Sequence, residues 1–209
     1  AEDNEIAAGL AFGGPTEMLK NAKYRVSIHR HQSDGFRDNA FLNRKNTNLR
    51  EETSLRGKLI WNVADDWLFD LTTMFVDIND GYDAFSINNS MTMLSDKPGK
   101  DVQRSSGASM KVIYTAFDSY TIESVSTLAH SKIDFSFDAD WGNDIAWAPI
   151  TYDYETKNNR KRQTASQEIR FISSESTSSF VNASQWLFGL HLSKLNDDLD
   201  SKNTGIYDD

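Results

Sequence analysis

Strand-like stretches of about ten residues come in pairs along this chain, with a tight turn inside each pair and a long polar loop between one pair and the next. The clearest pair is Thr53–Val63 and Trp67–Ile78, separated only by Ala64, Asp65 and Asp66. Thr53, Leu55, Gly57, Leu59, Trp61 and Val63 fall on one face of the first strand. Ser54, Arg56, Lys58, Ile60 and Asn62 fall on the other, because successive strand residues point to opposite faces. A half-buried sheet in water shows the same alternation. Strands of this length, with aromatics at the tight-turn end and long loops only at the other, fit a wall between lipid and a wet lumen better.

The pattern predicts strands over Glu5–Phe12, Ala22–His31, Thr53–Val63, Trp67–Ile78, Ser106–Phe117, Tyr120–Ser131, Gln163–Ser173 and Ser184–Lys194. Short connections (Gly13–Asn21, Ala64–Asp66, Asp118–Ser119, Ser174–Ala183) alternate with long ones (Gln32–Glu52, Asn79–Ser105, Lys132–Arg162). An up-and-down barrel then carries all its short turns on one side and all its long loops on the other. The face pattern repeats elsewhere. Tyr24, Val26 and Ile28 oppose Arg25, Ser27, His29 and His31, and Trp186, Phe188, Leu190 and Leu192 line up. Tyr24, Trp61, Trp67, Phe117, Tyr120 and Trp186 each lie near a short connection, as expected of an interfacial aromatic girdle. The competing account is that aromatics are common in strands generally, and a soluble β-sandwich or lipocalin-like barrel stays open as the alternative fold.

Composition narrows the function classes. No apolar run reaches the roughly 18 residues of a membrane helix, but a membrane strand exposes only alternate residues to lipid and escapes that test. The absence of cysteine excludes disulfide scaffolds, thiolate zinc sites and thiol nucleophiles. Pro15, Pro98 and Pro149 fall at expected turns or loops, where a missing N–H breaks no ladder. A net charge of −9 with no basic face argues against nucleic acid as partner. The chain begins Ala1-Glu2-Asp3, with no basic or apolar leader, and both ends are expected to be cuts through a longer chain.

Several stretches resemble the barrel of TonB-dependent outer-membrane receptors. Residues 24–85 are similar to a family pattern: a strand, a loop opening Ser33-Asp34-Gly35-Phe36-Arg37-Asp38-Asn39, the segment Leu55-Arg56-Gly57-Lys58-Leu59-Ile60-Trp61, a tight turn, and a strand ending in Gly81-Tyr82-Asp83. Residues 167–173 (QEIRFIS) and 185–193 (QWLFGLHLS) resemble two further strands of such barrels. The resemblance implies an all-β, antiparallel up-and-down transmembrane β-barrel segment of about eight strands, with short periplasmic turns and long extracellular loops. It implies a parent barrel of about 22 strands closed around a plug domain. Residues 1–209 would form part of that one barrel domain, with the plug and the remaining strands outside this sequence. It also implies a Gram-negative outer-membrane location and uptake of a scarce nutrient energised by the TonB complex. A ferric siderophore is the expected ligand, with cobalamin, haem or a glycan as alternatives. No plug, energy-coupling box or terminal aromatic strand end is visible in the sequence, so no family residue can be carried over. A different function remains in view: a small eight-stranded outer-membrane barrel acting as a passive channel or a structural or adhesion protein.

The candidate ligand-binding residues are loop residues: Phe41, Arg44, Tyr82, Phe85, Trp141, Trp147 and Tyr152, with Tyr154 nearby. Exposed rings beside polar groups make ligand contacts, or they pack loop against loop. Arg37, Arg44, Lys45 and Arg50 could attract an anionic ligand, neighbouring acidic loops or lipid phosphates. His29 and His31 share a face but lack a third ligand, and with His130 and His191 they read as polar lumen residues. Asp138, Asp140, Asn143 and Asp144 miss calcium-loop spacing and read as a solvated acidic loop, with loose divalent-ion binding as the alternative. The acidic run Asp197, Asp198 and Asp200 reads as solvated surface. No catalytic motif, cofactor fingerprint or metal-ligand set stands out. The expectation is a binding protein without enzymatic activity, cofactor or metal.

Overall fold

Among the described residues, eight long strands form one sheet in the order in which they occur along the chain, and each long pair is antiparallel. The computed structural model describes residues 2–174 and 185–209. The long strands are β1 (Ile6–Pro15), β2 (Ala22–Ser33), β5 (Arg50–Ala64), β6 (Trp67–Tyr82), β8 (Gly99–Tyr114), β9 (Tyr120–Asp138), β10 (Thr151–Ser173) and β11 (Leu187–Asp208). Three short strands lie in the loops: β3 (Arg37–Asn39), β4 (Arg44–Thr47) and β7 (Thr92–Met93). They form a separate small sheet in the order β4-β3-β7.

The register turns the one-strand alternation into two continuous faces. One row of paired residues runs Tyr24, Leu59, Leu71, Met110, Ser126, Gln167 and Leu192 across seven strands. Apolar residues dominate this face and nothing covers it: Ile28, Leu55, Met110, Leu128 and Leu190 are all exposed. Its few polar members satisfy one another. The Ser126 hydroxyl and the Gln167 amide bond at 2.5 Å, and Gln167 Nε2 donates to Ser124 Oγ at 2.9 Å. The opposite face carries charges in alternating sign, with Lys58 on Asp70 at 2.9 Å and Lys111 on Glu123 at 2.8 Å. Arg170 extends that belt to Glu168 at 2.6 Å.

Rings at the tight-turn end touch in sequence around the sheet. Trp61 meets Phe69, Phe69 meets Trp67, and Trp67 meets Tyr114 at 4.5 Å. Phe117 then stacks on Tyr120 at 4.6 Å, and Phe171 meets both Tyr120 and Phe188. The expected girdle is therefore a belt of ring contacts.

The strands exceed the expected lengths at their far ends. The strand expected over Gln163–Ser173 begins at Thr151, and the one expected to end at Ser131 runs to Asp138. The polar tail is also strand, to Asp208, so the long connections shrink to residues 34–49, 83–98 and 139–150. The reason is physical. The face alternation marks only residues 163–173 of β10, whereas the strand has 23 residues. Through residues 155–162 of β10 both faces are polar, so no alternation marks that part of the strand, and the backbone ladder holds it. Cross-strand pairs help, because Asp197 accepts from Arg160 Nε and Arg162 Nη2 at 2.7 and 2.9 Å. Asp197 is therefore a paired strand residue, not part of a free acidic surface. The expected start at Ser184 and nearly all of the connection Ser174–Ala183 lie outside the described residues.

The sheet is open. β1 and β11 are its edges and do not pair with one another, as a closed eight-stranded barrel would require.

Candidate functional site

The sheet carries little burial of its own, and among its described apolar residues only Ala22 and none of the large ones is fully buried. The deeply buried side chains gather instead at the long-loop end, among them Asn39, Met93, Ser95, Asp138, Asp140 and Asn143. Three loops dock there as one unit. Strand β7 of the second loop pairs in parallel with β3 of the first, Asp38 with Thr92 and Asn39 with Met93. Asn39 locks the joint: its Nδ2 donates to the Ser95 carbonyl at 2.8 Å and its Oδ1 accepts from the Leu42 amide at 2.9 Å. Arg37 reaches across to the Ser90 carbonyl at 3.1 Å. The second loop meets the third through Asn143 Nδ2 on the Leu94 carbonyl and through the Asp96 amide on the Gly142 carbonyl.

The third loop is organised by Asp138, Asp140 and Asn143, which overturns their reading as a solvated loop, while Asp144 is exposed. Asp138 Oδ1 accepts from the Asp140 and Trp141 amides, each at 3.2 Å. Asp140 Oδ1 accepts from the Gly142 amide and from Trp147 Nε1, while Oδ2 takes the Tyr154 amide at 2.6 Å. Asn143 caps a one-turn helix, α1 (Asp144–Trp147), accepting from the Ile145 and Ala146 amides. A short polar side chain bonding backbone amides two and three residues ahead is the usual way to start such a turn. Burial pushes the Asp138 carboxyl up to about 7. The Asp140 carboxylate pushes the same way, against the pull of the nearby Ser95 hydroxyl. Burial lowers Lys97, but its bonds to Asp153 and Asp96 outweigh that and hold its ammonium above the ordinary lysine range.

This scaffold brings five of the seven candidate residues into two ring clusters. Trp141, at φ +64°, stacks on Phe85 at 5.2 Å, and both rings stay about 40% exposed (41% and 40%). Tyr82 lies edge-on to Phe85 at 6.0 Å and to Phe135 at 4.6 Å. Trp147 meets Tyr152 at 5.1 Å, and Tyr152 meets Tyr154 and Tyr207. Tyr82, Phe135, Phe137, Tyr152, Tyr154 and Tyr207 share the register parity of Lys58, Asp70, Lys111 and Glu123. The rings therefore crown the charged face.

Phe41 and Arg44 stand apart. Phe41 is exposed in the β3–β4 turn with no ring contact among the described residues, and Arg44 is exposed on β4 opposite Asn39. The basic cluster does not assemble, since Arg37 turns into the loop pack and Arg50 pairs with Glu52 at 3.4 Å. His31 pairs with Glu5 at 3.0 Å. Phe135, Phe137 and Tyr207 join the site without having been singled out. The period-2 alternation continued through residues 133–137 would have found the first two. Tyr207 was hidden in a segment with no apolar rhythm.

Such a surface offers flat, partly exposed rings over a polar wall, suited to stacking on a planar or aromatic ligand.

No protein-family model and no curated protein sequence matches the chain. Among solved structures it is similar to the ferric yersiniabactin uptake receptor FyuA from Yersinia pestis, with a TM-score of 0.75 and 13% identity. That match covers 97% of this chain and 30% of the receptor. The siderophore receptor PiuA from Acinetobacter baumannii matches with a TM-score of 0.71 and 13% identity, over 95% of this chain and 29% of the receptor. The chain thus has the fold of part of the wall of these barrels and spans about a third of their length.

Proposed function

We propose that this chain is a wall segment of an outer-membrane receptor that captures a scarce nutrient, a ferric siderophore foremost, for TonB-energised uptake. The observation that carries the reading is the pair of ring clusters over the charged face of a sheet whose other face is apolar and uncovered. An apolar face of this extent is a liability in water and is satisfied by lipid. The charged face then lines a wet lumen, and the rings stand at its outer mouth, where a ligand first arrives. Iron(III) chelates of the catecholate and phenolate kind present flat aromatic groups that such rings stack against. The open edges β1 and β11 are where further strands of a larger barrel would pair. The plug and the contact with the TonB complex belong to parts of the protein outside this sequence.

The test is quenching of tryptophan fluorescence in the full-length protein in detergent, titrated with iron(III) chelates of the catecholate, hydroxamate and phenolate classes, cyanocobalamin, haem and oligosaccharides. One iron chelate is expected to quench saturably, with affinity reduced at least tenfold by Phe85→Ala or Trp141→Ala and unchanged by Phe41→Ala. Saturable quenching by cobalamin, haem or a sugar alone would replace the ligand class. Unaltered affinity in both ring variants would remove the site.

A further inference from the structure

Beside the Phe85–Trp141 stack, and lined in part by both rings, lies a small, partly open cavity of about 10 Å³, the space of roughly one water-sized sphere. Asp83, from the end of β6, and Asp138, from the end of β9, both line it, with Ser95 between apolar walls that include Met93 and Phe137. Asp83 is 4% and Asp138 6% exposed. The Oδ2 atom of each is buried and without a hydrogen-bond partner among the described residues.

We propose that this cavity binds one hard divalent cation of the calcium class, held between the carboxylates of Asp83 and Asp138.

Two buried carboxylate oxygens without partners are costly unless a positive charge or a proton meets them. Among the described residues no side-chain cation is paired with either oxygen. Lys97 is committed to Asp96 and Asp153, and Arg37 Nη1 is directed to the Ser90 carbonyl and the Met93 sulfur. An oxygen-only donor set selects hard cations over transition metals. Among the described residues no third acidic or imidazole side chain converges on the spot, so the Ser95 hydroxyl, backbone carbonyls and water would complete the shell. A site with so few protein charges should bind at the weak end of calcium modules, with Kd about 10⁻⁴–10⁻³ M. Asp83 is two residues from Phe85, and Asp138 is three from Trp141. The cation would therefore fix the distance between the strand ends that carry the stacked rings. The inference stands whether or not the rings bind an iron chelate.

The experiment uses the full-length protein in detergent, stripped with a chelator and titrated with calcium chloride by calorimetry, and with terbium(III), whose luminescence an adjacent indole such as Trp141 sensitises. One saturable site is expected, weakened at least tenfold by Asp83→Asn and by Asp138→Asn. Asp144→Asn removes an exposed acid of the same loop and should leave binding unchanged. Because the two core variants lie on different strands, each controls for misfolding of the other. Absence of saturable calcium heat and of sensitised terbium emission, or binding unchanged in both variants, would overturn the site.

Discussion

Asp138 shows how one side chain can serve both architecture and regulation. Its carboxyl titrates near 7 in the folded protein and near 3.9 in an unfolded chain. The protonated form therefore supports the loop pack fully below about pH 4, and that support is lost as pH rises through 7. With divalent ions chelated, amide exchange at residues 140–142, corrected for its intrinsic rate, should accelerate across this window. The effect should be at most about 3 kcal/mol, because water at the loop surface screens part of it. Asp138→Asn should flatten the dependence, and an unchanged slope in that variant would show another group responsible. Gly35 is a second single-residue constraint. Its φ of +91° and the Thr47 carbonyl, 2.2 Å from where a Cβ would sit, leave no room for alanine. Gly35→Ala should therefore loosen the first loop, seen as faster proteolysis within residues 34–49. Gly35 was legible as a turn residue from its place in the loop opening. The burial of Asp138 was not, because an acidic run looks the same whether water or backbone amides solvate it.

At the level of elements, the small β4-β3-β7 sheet joins loops that are about fifty residues apart in sequence, and Asn39 is its fastener. Removing the side chain leaves the Ser95 carbonyl and the Leu42 amide without their partner inside a buried joint. Asn39→Ala should cost about 2 kcal/mol, measured as a lower midpoint for loop opening by limited proteolysis, with the sheet itself unaffected. A midpoint equal to the parent's would mean that the loops are held by the β3–β7 ladder alone. The turn-proximal halves of the long strands were readable because apolar and polar residues alternate there. The distal halves were not. Thr156 to Lys161 of β10 carry no apolar rhythm, and only their pairing with β9 and β11 makes them strand.

For the whole molecule, the two faces make opposite demands on substitution. Met110 lies four residues in from the tight-turn end of β8, on the apolar face, and Ser109 beside it lies on the charged face. In phospholipid vesicles, Met110→Arg should destabilise the full-length protein by about 2–4 kcal/mol, the cost of a cation at the bilayer midplane. Ser109→Arg should cost less than about 1 kcal/mol. Urea unfolding followed by tryptophan emission measures both, and the reverse order would mean that the faces have been assigned the wrong way round.

The number and order of the eight long strands followed from the sequence alone, and so did the facing of strands such as β5, since a period of two admits only one way to present Leu55, Leu59 and Trp61 together. The aromatic girdle followed as well, because its rings sit beside turns that are short in the chain itself. Tertiary structure decided the loop end. Which rings meet depends on Asp140 and Asn143 folding the third loop back, and on β7 crossing to β3. Those are contacts between residues far apart in sequence, whose hydrogen bonds leave no periodic mark. The same holds for Asp83 and Asp138, two ordinary acids until the fold buries them around one small cavity.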